Sequence, residues 1–263
     1  MESIFLHHLQ SFASFEDIPG DNPVRVYLAG LGMSAFGSFA RINPNTDLSG
    51  NRSIYFDLPG FGFSDRPFEF SYSLEDQART VAELLDRLGI SHVFLIGHSL
   101  GGSVAITLAI LRPDLISRLI VAEGNLDPGG GTFSKGIAAQ SEEEFTRTGF
   151  ANLLHGIKTK AENGDKSMAA FACMLQTAAP YAVYRSALAL TKGIKSTMRT
   201  SYYELTIPRA YICGEQSLPD APDSRELTKH GIKVLVVPHA GHFMMFENPN
   251  GFSQVLREAL IQS

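Results

Sequence analysis

Cysteine is scarce in this chain. Cys173 and Cys213 are its two thiols, far apart in sequence and in no metal-binding or redox spacing, so a small disulfide-stapled scaffold is excluded. Both read as small buried apolar residues. Long apolar runs are also missing. No window approaches the about 18 uninterrupted apolar residues of a membrane span, and Met1 to His8 lacks a basic segment followed by a long apolar one. The expectation is a soluble, cytoplasmic protein with no membrane insertion. Basic clusters are absent too. The chain has 22 Lys and Arg against 27 Asp and Glu, a net charge of −5, and no stretch that gathers cations to neutralise phosphates. Nucleic acid is not an expected partner.

What remains is ordinary globular material. Of 263 residues, 44% are hydrophobic and 19% charged, enough to bury a large core in one or two domains. Short β-branched and aromatic runs alternate with longer helical patterns, the mark of a mostly parallel sheet covered by helices on both faces. Strands are expected at Val24 to Leu28, Ser53 to Asp57, His92 to Ile96, Arg118 to Ala122, Arg209 to Cys213 and Lys233 to Val237. Ser3 to Leu9 and Phe12 to Glu16 read as an antiparallel pair at one edge. Leu74, Ala78, Val81, Leu85 and Leu88 recur at helical spacing, with Ser73 and Asp76 as a capping pair and Gly89 as the stop. The alternation breaks between Leu126 and Tyr203, a stretch too long for one crossover. It reads as a helical cap over 126–203, inserted between core segments 1–125 and 204–263.

The sharpest chemical signal is Gly97-His98-Ser99-Leu100-Gly101, between a buried strand and an apolar helix. Strand, tight turn and helix lift the Ser99 hydroxyl above the sheet, and the amide of Leu100 points toward a developing oxyanion. A serine hydroxyl is a weak nucleophile until a base takes its proton. His242, in Val237-Pro238-His239-Ala240-Gly241-His242-Phe243, follows the last strand on a loop that can hold an imidazole over the sheet. His239 reads as a loop residue, and His7, His8, His92, His98, His155 and His230 as surface or packing residues. His239 and His242 have no third ligand at a helpful spacing, so no metal is expected.

With Leu28-Ala29-Gly30-Leu31, Asp57-Leu58-Pro59-Gly60-Phe61-Gly62-Phe63-Ser64, Gly97 to Gly102 and Gly241-His242 before Glu247-Asn248-Pro249, the chain resembles the α/β-hydrolase superfamily, in its capped branch. That resemblance implies an α/β-hydrolase fold with an eight-stranded sheet. It also implies that Leu31 gives the second oxyanion amide beside Leu100. Ser99 stands where dehalogenases and epoxide hydrolases of this branch need an aspartate, which favours attack on an acyl carbon. The family most often places its acid three residues past the glycine ending the seventh strand, and here that residue is Ser217. Glu123, at the end of the sixth strand and in a position similar to the haloalkane dehalogenase acid, is the favoured substitute. Asp220 and Asp223 compete with it. Asp57 reads as structural, bonding backbone in the Pro59-Gly60 turn.

The expected function is hydrolysis of a small or medium, largely apolar carboxylic ester, lactone or thioester, a small-molecule substrate, without a cofactor. Phe145, Met168, Phe171 and Met174 of the cap, with Phe243 and Met244, are the expected pocket walls. A carbon–carbon bond hydrolase uses the same triad, and a slow or non-catalytic binding protein can retain it. A further rival is a dinucleotide site. Gly30-Leu31-Gly32-Met33-Ser34-Ala35 satisfies the glycine fingerprint, and Asp57 follows at the expected distance. Against it, Asn43-Pro44-Asn45 and Leu48-Ser49-Gly50 leave little room for the helix that would hold a pyrophosphate. The sequence carries no signal for the oligomeric state.

Overall fold

A computed structural model describes residues 1–42, 50–194 and 198–261. The strands are β1 (Glu2–Leu6), β2 (Ser11–Ile18), β3 (Asp21–Leu28), β4 (Asn51–Phe56), β5 (Val93–His98), β6 (Ile116–Ala122), β7 (Arg209–Gly214) and β8 (Lys233–Val237). They form one sheet in the order β1-β2-β4-β3-β5-β6-β7-β8. β1 and β2 pair antiparallel, as do β2 and β4; every other neighbouring pair is parallel. The sheet matches the alternation read from the sequence, with one correction at its edge. Leu9 lies in a turn and not in β1, because the amides of His7 and His8 leave the sheet to donate to the carboxylate of Glu83.

The central strands explain the apolar runs. Val93, Leu95 and Ile96 of β5 and Leu119 to Ala122 of β6 are shut from solvent, as parallel strands covered on both faces must be. Helix α1 spans Ala35–Phe39, α2 spans Leu74–Leu88 and α3 spans Leu100–Leu111. Ser73 caps α2 by accepting from the Asp76 amide at 3.1 Å, and Gly89 ends it at φ 64°. α3 is apolar all round because it packs inside the molecule directly behind the nucleophile turn. Its side chains from Leu100 to Ala109 are buried.

Between β6 and β7 the described residues hold helices and no strand. These are α4 (Thr132–Ala138), α5 (Glu142–Glu144) continuing through a π-helical turn into α6 (Phe150–Glu162), α7 (Lys166–Leu175), α8 (Pro180–Lys192) and α9 (Met198–Glu204). Polar contacts fasten them to the core loop around Arg66 to Phe70. Arg66 donates to the Thr177 carbonyl, Tyr181 donates to the Arg66 carbonyl, and Arg185 donates both to Glu142 and to the Phe68 carbonyl. The chain closes with α10 (Ser224–Lys229), α11 (Met244–Glu247) and α12 (Pro249–Ile261). Among the described residues no helix is long and apolar enough to cross a membrane. Cys213 is buried, whereas Cys173 is exposed on α7, contrary to the expectation for both.

The dinucleotide reading meets a physical obstacle. The helix after the glycine fingerprint, α1, is five residues long, and the Asp57 carboxylate is consumed by the Ala35 amide at 2.7 Å and the Phe63 amide at 2.9 Å. Asp57 is therefore structural, although it ties α1 to the Gly62-Phe63 segment and not to Pro59-Gly60. The Asn43-Pro44-Asn45 and Leu48-Ser49 residues lie outside the described part.

Candidate active site

Ser99 sits between β5 and α3 at φ 52° and ψ −119°, a conformation costly for any residue with a side chain. Glycines make the turn possible. A Cβ on Gly97 would lie 2.3 Å from the Gly101 carbonyl oxygen, and one on Gly101 would lie 2.3 Å from the Leu28 carbonyl oxygen. Both are backbone contacts that cannot give way. Ser99 makes no side-chain capping bond to α3, so its hydroxyl is left for chemistry.

Glu123 follows β6 immediately and also has a positive φ, 48°. Its amide donates to the Ile212 carbonyl at 2.9 Å, and its Oε1 accepts from the Gly214 amide at 2.8 Å, so both ends of the residue are tied to β7. Oε2 lies 2.6 Å from His242 Nδ1. Burial pushes the Glu123 carboxyl upward, but the bond to and charge of His242, with the Gly214 amide, outweigh it and hold the group below its ordinary value. Asp220 and Asp223 border the same cavity, yet neither has a hydrogen bond to His242. Asp223 caps α10 through the Arg225 amide at 2.9 Å.

His242 is held by its own loop. The Gln216 amide donates to Ala240, the Gly241 amide to the Glu247 carboxylate, and the His239 amide to the Glu215 carboxylate at 2.8 Å. The His239 side chain stands in solvent at 89% exposure, as a loop histidine should.

Ser99, Glu123 and His242 all line one cavity of about 710 Å³. Leu31 lines it too, and its amide has no acceptor among the described residues. Leu100 is the first residue of α3, where helical geometry leaves the amide unsatisfied. A Cβ on Gly30 would lie 3.3 Å from the Ser99 Cβ, so the turn carrying Leu31 passes directly beside the serine.

Of the expected pocket residues, Phe171 and Phe243 line the cavity. Four do not. Phe145 is wholly buried between the rings of Phe150 and Tyr184. Met168 is buried within the helical segment and Met244 at the start of α11. Met174 packs α7 onto α1, where a Cβ on Gly37 would lie 3.1 Å from its sulfur. Helical pitch accounts for Met174, which is rotated by about 100° from Leu175; Met168 shares the side of Phe171 and Leu175 but lies two turns from Leu175 and is not part of the wall.

The wall also contains residues that the sequence did not single out. Arg199 of α9 reaches it and is held by Asp127, with Nε to Oδ1 at 3.0 Å; Nη1 donates to the Tyr203 hydroxyl. Tyr211 of β7 lines it and donates to the Gly124 carbonyl at 3.1 Å. The charged pair is 72 residues apart in sequence, and no local pattern announces it. Among the described residues no group of three or more His, Cys, Asp or Glu side chains could hold a metal ion.

A serine on a strained strand-to-helix turn that lines one cavity with a histidine and a strand-end acid, in a mostly parallel sheet, defines an α/β-hydrolase architecture. The family model for the alpha/beta hydrolase fold matches residues 26–249, and the chain belongs to that family. Over 110 residues it is 33% identical to the 2-hydroxy-6-oxo-2,4-heptadienoate hydrolase of Pseudomonas putida, covering 41% of this chain and about two-fifths (39%) of that relative's length. Over 222 residues it is 26% identical to the 2-(acetamidomethylene)succinate hydrolase of Mesorhizobium japonicum, covering 75% and 74%. In structure it is similar to a thermophilic esterase from Thermogutta terrifontis, with a TM-score of 0.79, 23% identity and 95% and 93% of the two chains covered. It is also similar to the enol-lactonase of Burkholderia xenovorans LB400, with a TM-score of 0.80, 19% identity and 99% and 100% covered. The structural likenesses are of fold.

Proposed function

We propose that this chain is a serine hydrolase that cleaves a largely apolar carboxylic ester, lactone or thioester, with residues 126–203 acting as a cap over the site. The observation that carries the reading is the 2.6 Å bond from Glu123 to His242 on the rim of the cavity that Ser99 enters. In this mechanism the Ser99 hydroxyl attacks the carbonyl carbon and His242 Nε2 takes its proton. Glu123 fixes the Nδ1–H tautomer and stabilises the imidazolium. The amides of Leu31 and Leu100 receive the oxyanion. The same proton then passes to the leaving alcohol or thiol, and His242 activates a water that releases the acid from the acyl-serine.

The cavity wall supports an apolar acyl group. The rings of His242, Phe243, Phe171 and Phe133 are in sequential contact, with centroids 5.4, 5.1 and 5.8 Å apart, so an aromatic wall runs from the base into the helical segment. The relatives named as heptadienoate and nonadienedioate hydrolases favour a second reading, cleavage of a carbon–carbon bond. The charges on the wall favour the ester. Arg199 is already occupied by Asp127, and Asp220 and Asp223 outnumber Lys135, the other cation of the wall, so the balance disfavours a carboxylate-bearing substrate.

Short-chain chromogenic esters assayed beside an anionic vinylogous diketone test the choice. Turnover of the esters, lost in both Ser99→Ala and His242→Ala by on the order of 10⁴-fold or more, supports it. Ester turnover retained in either variant ends the proposal, and turnover of the diketone alone selects the second reading. Slow labelling of Ser99 by a fluorophosphonate would instead mark a binding protein that has kept the triad without its activity.

A further inference from the structure

His98 has no part in the mechanism above, yet it adjoins the nucleophile, the base and the turn that carries the Leu31 amide. It is the last residue of β5 and the immediate neighbour of Ser99, and its side chain is wholly shut from solvent. Its Nε2 lies 2.9 Å from the main-chain carbonyl oxygen of His242. Its ring lies 4.7 Å from the His242 ring, centroid to centroid, tilted by 45°. On the opposite side Nδ1 faces the Gly30 turn, where a Cβ would come within 3.2 Å, and it has no hydrogen-bond partner. The ring is thus wedged between the turn that carries the Leu31 amide and the loop that carries the base.

We propose that His98 is a positioning residue that, as a neutral Nε2–H tautomer, ties the carbonyl of His242 to the strand bearing Ser99 and so fixes the distance over which the proton is passed. The inference rests on the serine-hydrolase reading.

Three observations carry it. A carbonyl can only accept, so Nε2 must bear the proton. A second proton on Nδ1 would find no protein acceptor, which leaves the ring neutral. The other tethers of the loop come from Gln216, Glu215, Glu247 and Asn248, none of them buried, so His98 is the wholly buried tether and the one that joins the base to the nucleophile's own strand. Burial first, then the neighbouring charge of His242, holds the His98 ring down to about 3; the charged groups facing it are His242 and, acting in the opposite direction, Glu123. A ring that stays uncharged adds no repulsion when His242 becomes imidazolium during turnover.

The test uses the full chain and three measurements. In His98→Leu, kcat on the chromogenic ester is expected to fall by roughly 10- to 100-fold with a much smaller change in KM, because the bond that is lost acts on transition-state alignment, while the residue is one of many that border the cavity. Fluorophosphonate labelling of Ser99 should slow in parallel, and thermal stability should be kept or raised. His98→Gln, whose amide can reach the same carbonyl, should recover most of the rate. In the wild-type protein labelled with ¹⁵N-histidine, one ring should show a protonated Nε2 and a bare Nδ1 unchanged from pH 8 to pH 5. Full kcat in His98→Leu overturns the inference, as do equal losses in the Leu and Gln variants. So does a ring assigned to His98 that titrates in that pH range, a reading that needs no variant to fold. Each of these is separable from failure of the underlying reading, which would appear as ester turnover surviving Ser99→Ala.

Discussion

Glycines play opposite parts in the two halves of the molecule. At the end of the sheet, Gly97 and Gly101 lie where backbone from three segments converges, and a Cβ on either would fall 2.3 Å from a carbonyl oxygen. In the helical segment, Gly156 sits on the exposed face of α6 with nothing within 4 Å of an added Cβ. The first kind of glycine is required by geometry and the second is tolerated. The contrast extends beyond glycine. The sheet end is specified by close backbone contacts and short buried bonds, with Glu123 fixed at both ends. The helical segment is specified by apolar faces and by arginine contacts at its margin, such as Arg185 with Glu142. On the proposed reading the reacting groups sit at the tightly packed sheet end, and the cavity wall extends from there into the helical segment.

The sharpest way to break this contrast is to exchange acids across the cavity. Glu123→Gln keeps the shape but loses the acceptor that fixes the His242 tautomer, and kcat is expected to drop by roughly 10³- to 10⁴-fold. Asp220→Asn and Asp223→Asn, on the loop beyond β7, are expected to cost less than about tenfold, because neither is bonded to His242. A larger loss at either aspartate, measured on the same ester, would move the acid to that loop.

Gly101→Ala is the next largest. The added methyl meets the Leu28 and Ala29 carbonyls at 2.3 and 2.6 Å, so β3 or α3 must shift. A loss of about 3 kcal/mol or more is expected from overpacking against backbone, read as a fall in the urea midpoint. A change below about 1 kcal/mol would show that the turn is softer than its contacts imply.

The sheet end was the legible half for the same reason. A turn needing glycine on both sides of a serine leaves its mark in adjacent letters, whereas the acid stays open between Glu123, favoured for its strand-end position and its similarity to the dehalogenase acid, and Asp220 and Asp223. Gly89 and Ser73 could be read as helix stops and starts because capping is local. The helical segment obeys no such constraint. Phe145, Met168 and Met174 have the same apolar character as Phe171, and only tertiary packing decides which of them faces the cavity. Arg199 and Asp127 meet across 72 residues, a pairing set by where α9 docks. Asp57 was recognisable as structural, but its true partners, Ala35 and Phe63, depend on how two loops fold over it. His98 was set aside as packing, since its bond to the His242 carbonyl joins residues 144 apart.

A pH measurement sharpens the comparison at the sheet end. Unfolded, a histidine titrates near 6.5, whereas buried His98 is held down to about 3. Between those values the unfolded chain binds a proton that the folded chain refuses, so this group's stabilising contribution is present above pH 6.5 and is lost as the pH falls toward 3. The limiting slope is about 1.4 kcal/mol per pH unit for one proton. Glu123, also held below its ordinary value, acts in the same direction but only below about 4.5, its unfolded value. Urea midpoints taken from pH 6.5 to 4.5 should therefore show a slope for wild type that exceeds that of His98→Gln by close to one proton. Equal slopes would mean that the folded protein protonates the ring.

The smallest effect belongs to the other half. Gly156→Ala places a methyl in open space on a regular helical turn, so nothing in the folded state resists it. The unfolded chain loses conformational freedom and the helix gains propensity, which together predict a gain of about 0.5–1 kcal/mol with kcat unchanged. The sign carries the information. The same Gly→Ala exchange should destabilise at position 101 and stabilise at position 156, so the two urea midpoints move in opposite directions. If Gly156→Ala lowered the midpoint, α6 would have to pack against something on its outer face, and the claim that the helical segment is the permissive half would fail on that exposed face.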